Sequence, residues 1–112
     1  MTGRVQASAL APWAGLFLGA FGWFLHHQTG SDANHYDCRV AGGGFVVGVG
    51  LVCALIVAVG GLISWASAPV REPPDGQNRG FARIVGMTSA AIFLLAIGIQ
   101  TLAGALVPPC LR

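Results

Sequence analysis

Charged side chains are scarce in this chain of 112 residues: they make up 9% of it, against 54% hydrophobic residues. A soluble domain usually carries about 25% charged residues. Six basic and four acidic residues are too few to cover a water-facing surface. The composition therefore predicts a protein whose main solvent is lipid. The length predicts one domain, a single membrane domain over residues 1–112.

Lysine is absent, and the six basic residues are all arginine. The formal net charge of +2 is too small to indicate a nucleic-acid partner, which needs a clustered basic face. Cysteine is also rare. Cys38, Cys53 and Cys110 neither contain a CxxC pair nor suffice for a dense disulfide framework.

Three long apolar segments have no charged residue in their interiors: residues 7–27, 41–66 and 83–107. About 20 apolar residues suffice for a helix to cross a bilayer. Helix is the expected form because open strands leave backbone groups unpaired in hydrocarbon. The first segment is longer than the apolar part of a signal peptide and lacks a small-residue cleavage site, so we predict that it is retained. The predicted fold is all-α, an integral membrane three-helix bundle.

The distribution of arginine predicts the orientation of these spans, because positive charge favours the cytoplasmic side. The N-terminus, the connector 67–82 and the first residue of the third segment hold four arginines, Arg4, Arg71, Arg79 and Arg83, whereas the connector 28–40 and the C-terminus hold two. We therefore expect the N-terminus and loop 67–82 in the cytoplasm, and loop 28–40 and the C-terminus in the periplasm. In loop 67–82, Pro69, Pro73, Pro74 and Gly76 argue against a continuous helix.

Small residues at a spacing of four recur inside the first two spans, where they would let helix backbones approach closely. One interpretation is packing within the three-helix unit, and the other is that one stripe is left for a larger membrane partner. The second span carries two stripes, which favours contacts beyond its own chain. The predicted packing residues are Ala11, Gly15 and Gly19 in the first span, and Gly44, Gly48, Gly50, Ala54 and Ala58 in the second.

The polar stretch FLHHQTGSDANHYDC, residues 24–38, holds three histidines, two aspartates and a cysteine. These are ligand types for zinc and copper. The spacing fits no standard site, since adjacent histidines point about 100° apart on a helix. A metal site would need His26 or His27 to converge with His35, Asp37 and Cys38 through a folded loop. A haem would need a second ligand from a partner, because the other two spans contain no histidine.

A disulfide is the more specific chemistry that the topology offers. Cys38 directly precedes the second span and Cys110 follows the third, so both are expected at the same membrane surface. A periplasmic surface favours oxidation. Pro108 and Pro109 would end the third helix and turn the chain toward this bond. We therefore predict a Cys38–Cys110 disulfide, with Cys53 as a free apolar thiol.

The segment WFLHHQTGSDANHYDC, residues 23–38, resembles a feature of small uncharacterised three-span membrane proteins of proteobacteria. Members of that group carry a W-x-x-HHQ-type end to the first span and a downstream cysteine. They accompany haem-copper terminal oxidases or the assembly factors of those oxidases. The resemblance implies an accessory or assembly role beside a respiratory oxidase, and it carries no catalytic residues to this chain.

The sequence thus predicts a non-enzymatic small accessory subunit or assembly factor of a larger complex in the bacterial inner membrane. Its expected partners are membrane lipid and other integral membrane subunits, with no cofactor of its own and no identified small-molecule substrate. The absence of ionisable residues deep in the spans argues against a transporter. The alternative is a periplasm-facing protein that handles copper or haem, the cofactor being shared with a partner, through His26, His27, His35 and Cys38.

Overall fold

The computed structural model describes residues 9–67 and 75–111, and in that part of the chain every regular element is helical. The all-α prediction is confirmed. The three α-helices are α1 (Ala14–Tyr36), α2 (Gly43–Ala66) and α3 (Asp75–Leu106), and short 3-10 helices cover Ala11–Trp13 and Pro109–Leu111.

The helices form an up-down-up bundle in which each one packs against the other two. The start of α1 lies beside the end of α2 and the first third of α3, and the end of α1 lies beside the opposite ends of both. The bundle is slender, measuring 56 × 23 × 16 Å. We call the end that holds Cys38 and Cys110 the disulfide end, and the other end the Ser64 end.

The first helix is longer at its C-terminal end than the sequence predicted. It continues past residue 27 to Tyr36, so the predicted loop 28–40 is wrong for residues 28–36. The side chain of Gln28 donates a hydrogen bond to Asp32 at 3.0 Å, one turn along, which stabilises this polar extension. The helix ends where Asp37 adopts an extended backbone and its carboxylate accepts the Arg39 N–H at 2.9 Å, a local bond that competes with helix.

The third helix begins earlier than predicted, at Asp75 rather than at residue 83. The predicted loop 67–82 is therefore wrong for residues 75–82. Gly76 lies within the first turn, where a single glycine costs only about 1 kcal/mol in helix propensity. The three prolines of this connector, Pro69, Pro73 and Pro74, lie outside the described residues.

The interior of the bundle is thin and built largely from small residues. A cluster of Cys53, Val57, Ala90 and Ile97 forms its core, and none of the four is more than 3% exposed. Toward the Ser64 end no side chain fits between α1 and α3, because a Cβ on Gly15 would collide with the backbone carbonyl of Gly86. The helices therefore approach there backbone to backbone, as is usual for small residues at helix contacts in lipid.

The outer surface of the helices is apolar. Two of them are long and apolar enough to cross a membrane: α2, with a mean hydropathy of 2.8, and the Asn78–Leu106 part of α3, with 1.9. The described apolar part of α1 is shorter, because polar residues begin at His26. Large side chains that are at least half exposed are found on every helix, among them Phe17, Phe21, Phe24, Leu51, Leu55, Leu62, Ile84, Ile92, Leu95, Ile99 and Leu102.

The close contact at Gly86 yields the first prediction. Gly86→Ala should destabilise the bundle by about 1–3 kcal/mol, the usual cost of overpacking, because the new methyl group would overlap the Pro12 carbonyl and the Ser64 side chain. Unfolding by denaturing detergent, followed by circular dichroism, measures this change.

The matched control is Gly98→Ala on the same helix, where a Cβ meets nothing within 4 Å. It should leave stability unchanged or raise it by up to about 1 kcal/mol, because alanine favours helix. Equal effects of the two substitutions would contradict the backbone contact.

Candidate functional site

His26 lies inside the bundle rather than on its outer surface. Its side chain is 7% exposed, and both ring nitrogens are engaged by α3. Nδ1 lies 3.2 Å from Oε1 of Gln100, and Nε2 lies 3.1 Å from Oγ1 of Thr101.

The partners of His26 fix its hydrogen-bonding roles. The Oε1 atom of Gln100 can only accept, so Nδ1 of His26 donates to it. In the neutral ring the other nitrogen is then an acceptor, and it receives the Thr101 hydroxyl proton. The three side chains form a satisfied chain of polar groups, which the interior of a membrane-type bundle requires.

The other predicted ligands do not join His26. His27 is exposed, and its ring stacks on Trp23 with centroids 5.5 Å apart. His35 lies two turns farther along α1, also exposed. Cys38 is bonded to Cys110 and so offers no thiolate. Across residues 9–67 and 75–111, the structure brings together no group of three histidine, cysteine or carboxylate side chains that could hold a metal ion.

The predicted disulfide is present in the structure and closes one end of the bundle. Cys38 follows α1 and Cys110 follows α3, and their Cα atoms lie 5.1 Å apart across 72 residues of sequence. The chain turns toward this bond at Pro108, directly after α3, where the Leu111 N–H donates to the Pro108 carbonyl at 3.0 Å. Cys53 is a free, buried thiol, as expected.

The stripes of small residues divide into two groups. Gly15 lies against the Gly86 carbonyl, Gly19 against the Phe93 ring and Gly50 against the Thr101 side chain, each too close to admit a Cβ. Ala11 is buried, and Ala54 and Ala58 are partly buried. By contrast, Gly44 and Gly48 are exposed, and a Cβ at either position would meet nothing within 4 Å.

Gly44 and Gly48 form part of the floor of a groove of about 420 Å³ on the outside of the bundle. We call it the glycine groove. It runs between α1 and α2 and is apolar apart from one hydroxyl. Its lining residues are Leu25, Thr29, Gly44, Phe45, Gly48, Val49, Val52 and Cys53.

Ser64 is the structural residue that sequence reasoning missed. Its hydroxyl donates to the Pro12 carbonyl at 2.9 Å and accepts the Gly15 N–H at 2.8 Å. It thereby satisfies one of the unpaired N–H groups that every helix has in its first turn. The only sequence signal was a hydroxyl near the end of an otherwise apolar run, opposite a proline that cannot donate.

A second cavity, of about 350 Å³, lies toward the disulfide end between all three helices. We call it the inter-helix cavity. It begins at His26 and Gln100 and extends to Asn34 and Val107. Its lining residues are His26, His27, Gly30, Ser31, Asn34, Phe45, Val46, Val49, Gln100, Ala103, Gly104 and Val107.

The bond between His26 and Gln100 yields the second prediction, tested by a double-mutant cycle. His26→Leu should destabilise the bundle by about 1–3 kcal/mol, because the Gln100 and Thr101 side chains lose their buried partner. Gln100→Leu should then cost less in the His26→Leu background than in the native chain. We expect a coupling energy of about 0.5–2 kcal/mol, measured by detergent unfolding.

His27→Leu is the matched control, since it removes the neighbouring ring without touching α3. It should show no coupling to Gln100→Leu. A coupling energy of zero for His26 and Gln100 would mean that their hydrogen bond does not hold the two helices together.

The arrangement of His26, Gln100 and Thr101 can hold α1 and α3 together through buried hydrogen bonds. Both ring nitrogens of the buried His26 are hydrogen-bonded to neutral side chains, and the Cys53 thiol lies in the apolar core of the bundle. No family model matches the chain, and neither a curated protein nor a solved structure matches it.

Proposed function

We propose that this chain is a three-span protein of the bacterial inner membrane, serving as a small, non-catalytic accessory or assembly subunit of a larger complex such as a respiratory terminal oxidase. The observation that carries the proposal is the glycine groove. Gly15, Gly19 and Gly50 are covered by their own chain, whereas Gly44 and Gly48 are open.

The dimensions of the bundle support three crossings. The hydrocarbon core of a bilayer is about 30 Å thick, and the long axis of the bundle is 56 Å. The excess length is found at both ends, where α1 continues as polar helix through residues 28–36 and α3 begins with residues 75–80. The membrane would then cover the part between, which exposes large apolar side chains on all three helices.

The first crossing differs from the other two in its construction. Its α-helix starts only at Ala14, after the short helix Ala11–Trp13, and the last buried residue of this helix is His26. A span of this kind is supported by its neighbours, because the Ser64 hydroxyl bonds the backbone of its first turn and Gln100 bonds His26. The length of the apolar part of α1 is therefore, by itself, a poor measure of whether this helix crosses the membrane.

The docking role follows from the energetics of helix contacts in lipid. Hydrophobicity gives no drive for helices to associate there, so close packing over small residues supplies the contact. Residues of α2 spaced four apart, Gly44 and Gly48, lie on one face and leave a depression into which side chains of a partner helix fit. A helix of another integral membrane subunit is the occupant that we propose.

The arginine bias supports a periplasmic disulfide end, where oxidation is favoured. In whole cells with a permeabilised outer membrane, Cys38 and Cys110 should react with a charged maleimide only after treatment with the charged phosphine reductant TCEP. A cysteine introduced as Gly76→Cys should stay unlabelled until the inner membrane is opened. Cys53→Ser serves as the background for both measurements.

Labelling at residue 76 in intact cells, with none at residue 38 after reduction, would invert the proposed orientation. Labelling at both positions would mean that the two connectors lie on the same side, and the three-span arrangement would be wrong. Labelling of Cys38 before reduction would show that the disulfide does not form in the cell.

The subunit role is tested by gentle detergent extraction of an affinity-tagged chain, with co-purifying membrane proteins identified by mass spectrometry. Gly48→Leu should reduce recovery of the partner about tenfold or more, because the leucine fills the glycine groove. Its control is Gly98→Leu, which adds the same side chain at another open glycine on α3.

Two outcomes would contradict the proposal. One is a chain that purifies alone at native expression levels, and the other is equal recovery of the partner with both leucine variants. Recovery of terminal-oxidase subunits would identify the complex, and recovery of another membrane complex would replace the oxidase while keeping the docking role.

A further inference from the structure

The inter-helix cavity differs from the glycine groove in its chemistry. One wall is apolar and is formed by Phe45, Val46 and Val49 of α2 together with Val107, which follows α3. The opposite wall is a polar stripe of α1, where His27, Ser31 and Asn34 recur at helical spacing. This combination of an apolar enclosure with a few polar groups is typical of small-molecule sites, whose volumes are about 300–1,000 Å³.

One polar atom of this wall has no hydrogen-bond partner within the described residues. The Asn34 Oδ1 atom is buried and unpaired. Buried polar groups are ordinarily paired, so an orphaned acceptor beside a cavity is unusual and calls for a partner.

The charge of the lining restricts what that partner can be. None of the residues that line the cavity is arginine, lysine, aspartate or glutamate. The lining therefore offers no counter-charge to a phosphate, carboxylate or ammonium head, which disfavours these charged groups. The length of the polar stripe, from His26 to Asn34, is about 12 Å at 1.5 Å per residue.

We propose that the inter-helix cavity binds an uncharged amphiphile. Its head carries a hydroxyl group, which donates a hydrogen bond to Oδ1 of Asn34 and whose oxygen accepts one from the side chain of Ser31. Its apolar body, about 12 Å long, lies along Val46 and Val49. This ligand is additional to the proposed subunit role and does not depend on it.

The test is photolabelling of the full chain in phosphatidylcholine vesicles. The probe is a ten-carbon alcohol with a diazirine at its far end, compared with the corresponding alkane and the corresponding trimethylammonium compound. Adducts are mapped by mass spectrometry. We expect the alcohol to label residues 26–34, 45–49 and 100–107 at least fivefold more than the other two probes do, and unlabelled decanol to compete.

Ala103→Trp should fill the cavity and remove these adducts, whereas Ala91→Trp, the same change at an exposed position of α3 away from the cavity, should leave them. Asn34→Leu should reduce labelling by the alcohol to the level of the alkane. If Ala103→Trp fails to fold, the comparison of alcohol and alkane labelling in Asn34→Leu still tests the site.

Uniform labelling along the exposed faces of the helices, equal for alcohol and alkane, would overturn the site and leave membrane insertion intact. Preferential labelling by the trimethylammonium probe would overturn the uncharged class. Lack of any adduct at the exposed residues Leu95 and Ile99 would contradict the membrane proposal itself.

Discussion

The close approach of helix backbones governs this structure. Gly15 of α1 and Gly86 of α3 meet with no side chain between them, and Gly60 of α2 also packs closely on α1 at Ala14 and Leu18. A thin bundle cannot bury a large core, so its cohesion must come from such contacts and from the polar bonds they permit. The Ser64 hydroxyl reaches two backbone groups of the neighbouring chain segment only because the glycines let α1 come near.

The same constraint explains where polar side chains occur. His26, Gln100 and Thr101 lie in the interior, each supplying what another lacks, and the rest of the described polar residues gather toward the ends. An unpaired polar group costs free energy in apolar surroundings, and the hydrogen bonds among these three side chains offset that cost. Asn34 departs from the pattern, with a buried oxygen that the described chain leaves unpaired.

The all-helical architecture and the Cys38–Cys110 bond could be predicted from the sequence, because both follow from the order of apolar segments along the chain. Helix ends could not. The polar residues 28–36 read as turn formers, yet they extend α1, since local bonds such as Gln28 to Asp32 suit helix as well as loop. The inward position of His26 could not be predicted either, because nothing in the sequence distinguishes it from the adjacent His27. The packing of α1 against α3 decides that His26 is buried while His27 stacks on Trp23. The small-residue stripes likewise do not reveal from sequence that Gly50 is covered while Gly48 is open.

The disulfide also constrains the order of events during biosynthesis. Its two cysteines are 72 residues apart, so at a synthesis rate of about 5–20 residues per second the second one emerges roughly 4–14 s after the first. For that interval Cys38 has no Cys110 with which to form the native disulfide. Cys53, the remaining thiol of the chain, is enclosed in the apolar core of the finished bundle. The Cys38–Cys110 bond can therefore form only once all three helices have come together. In a chain stalled before that point, Cys38 can still react with other thiols.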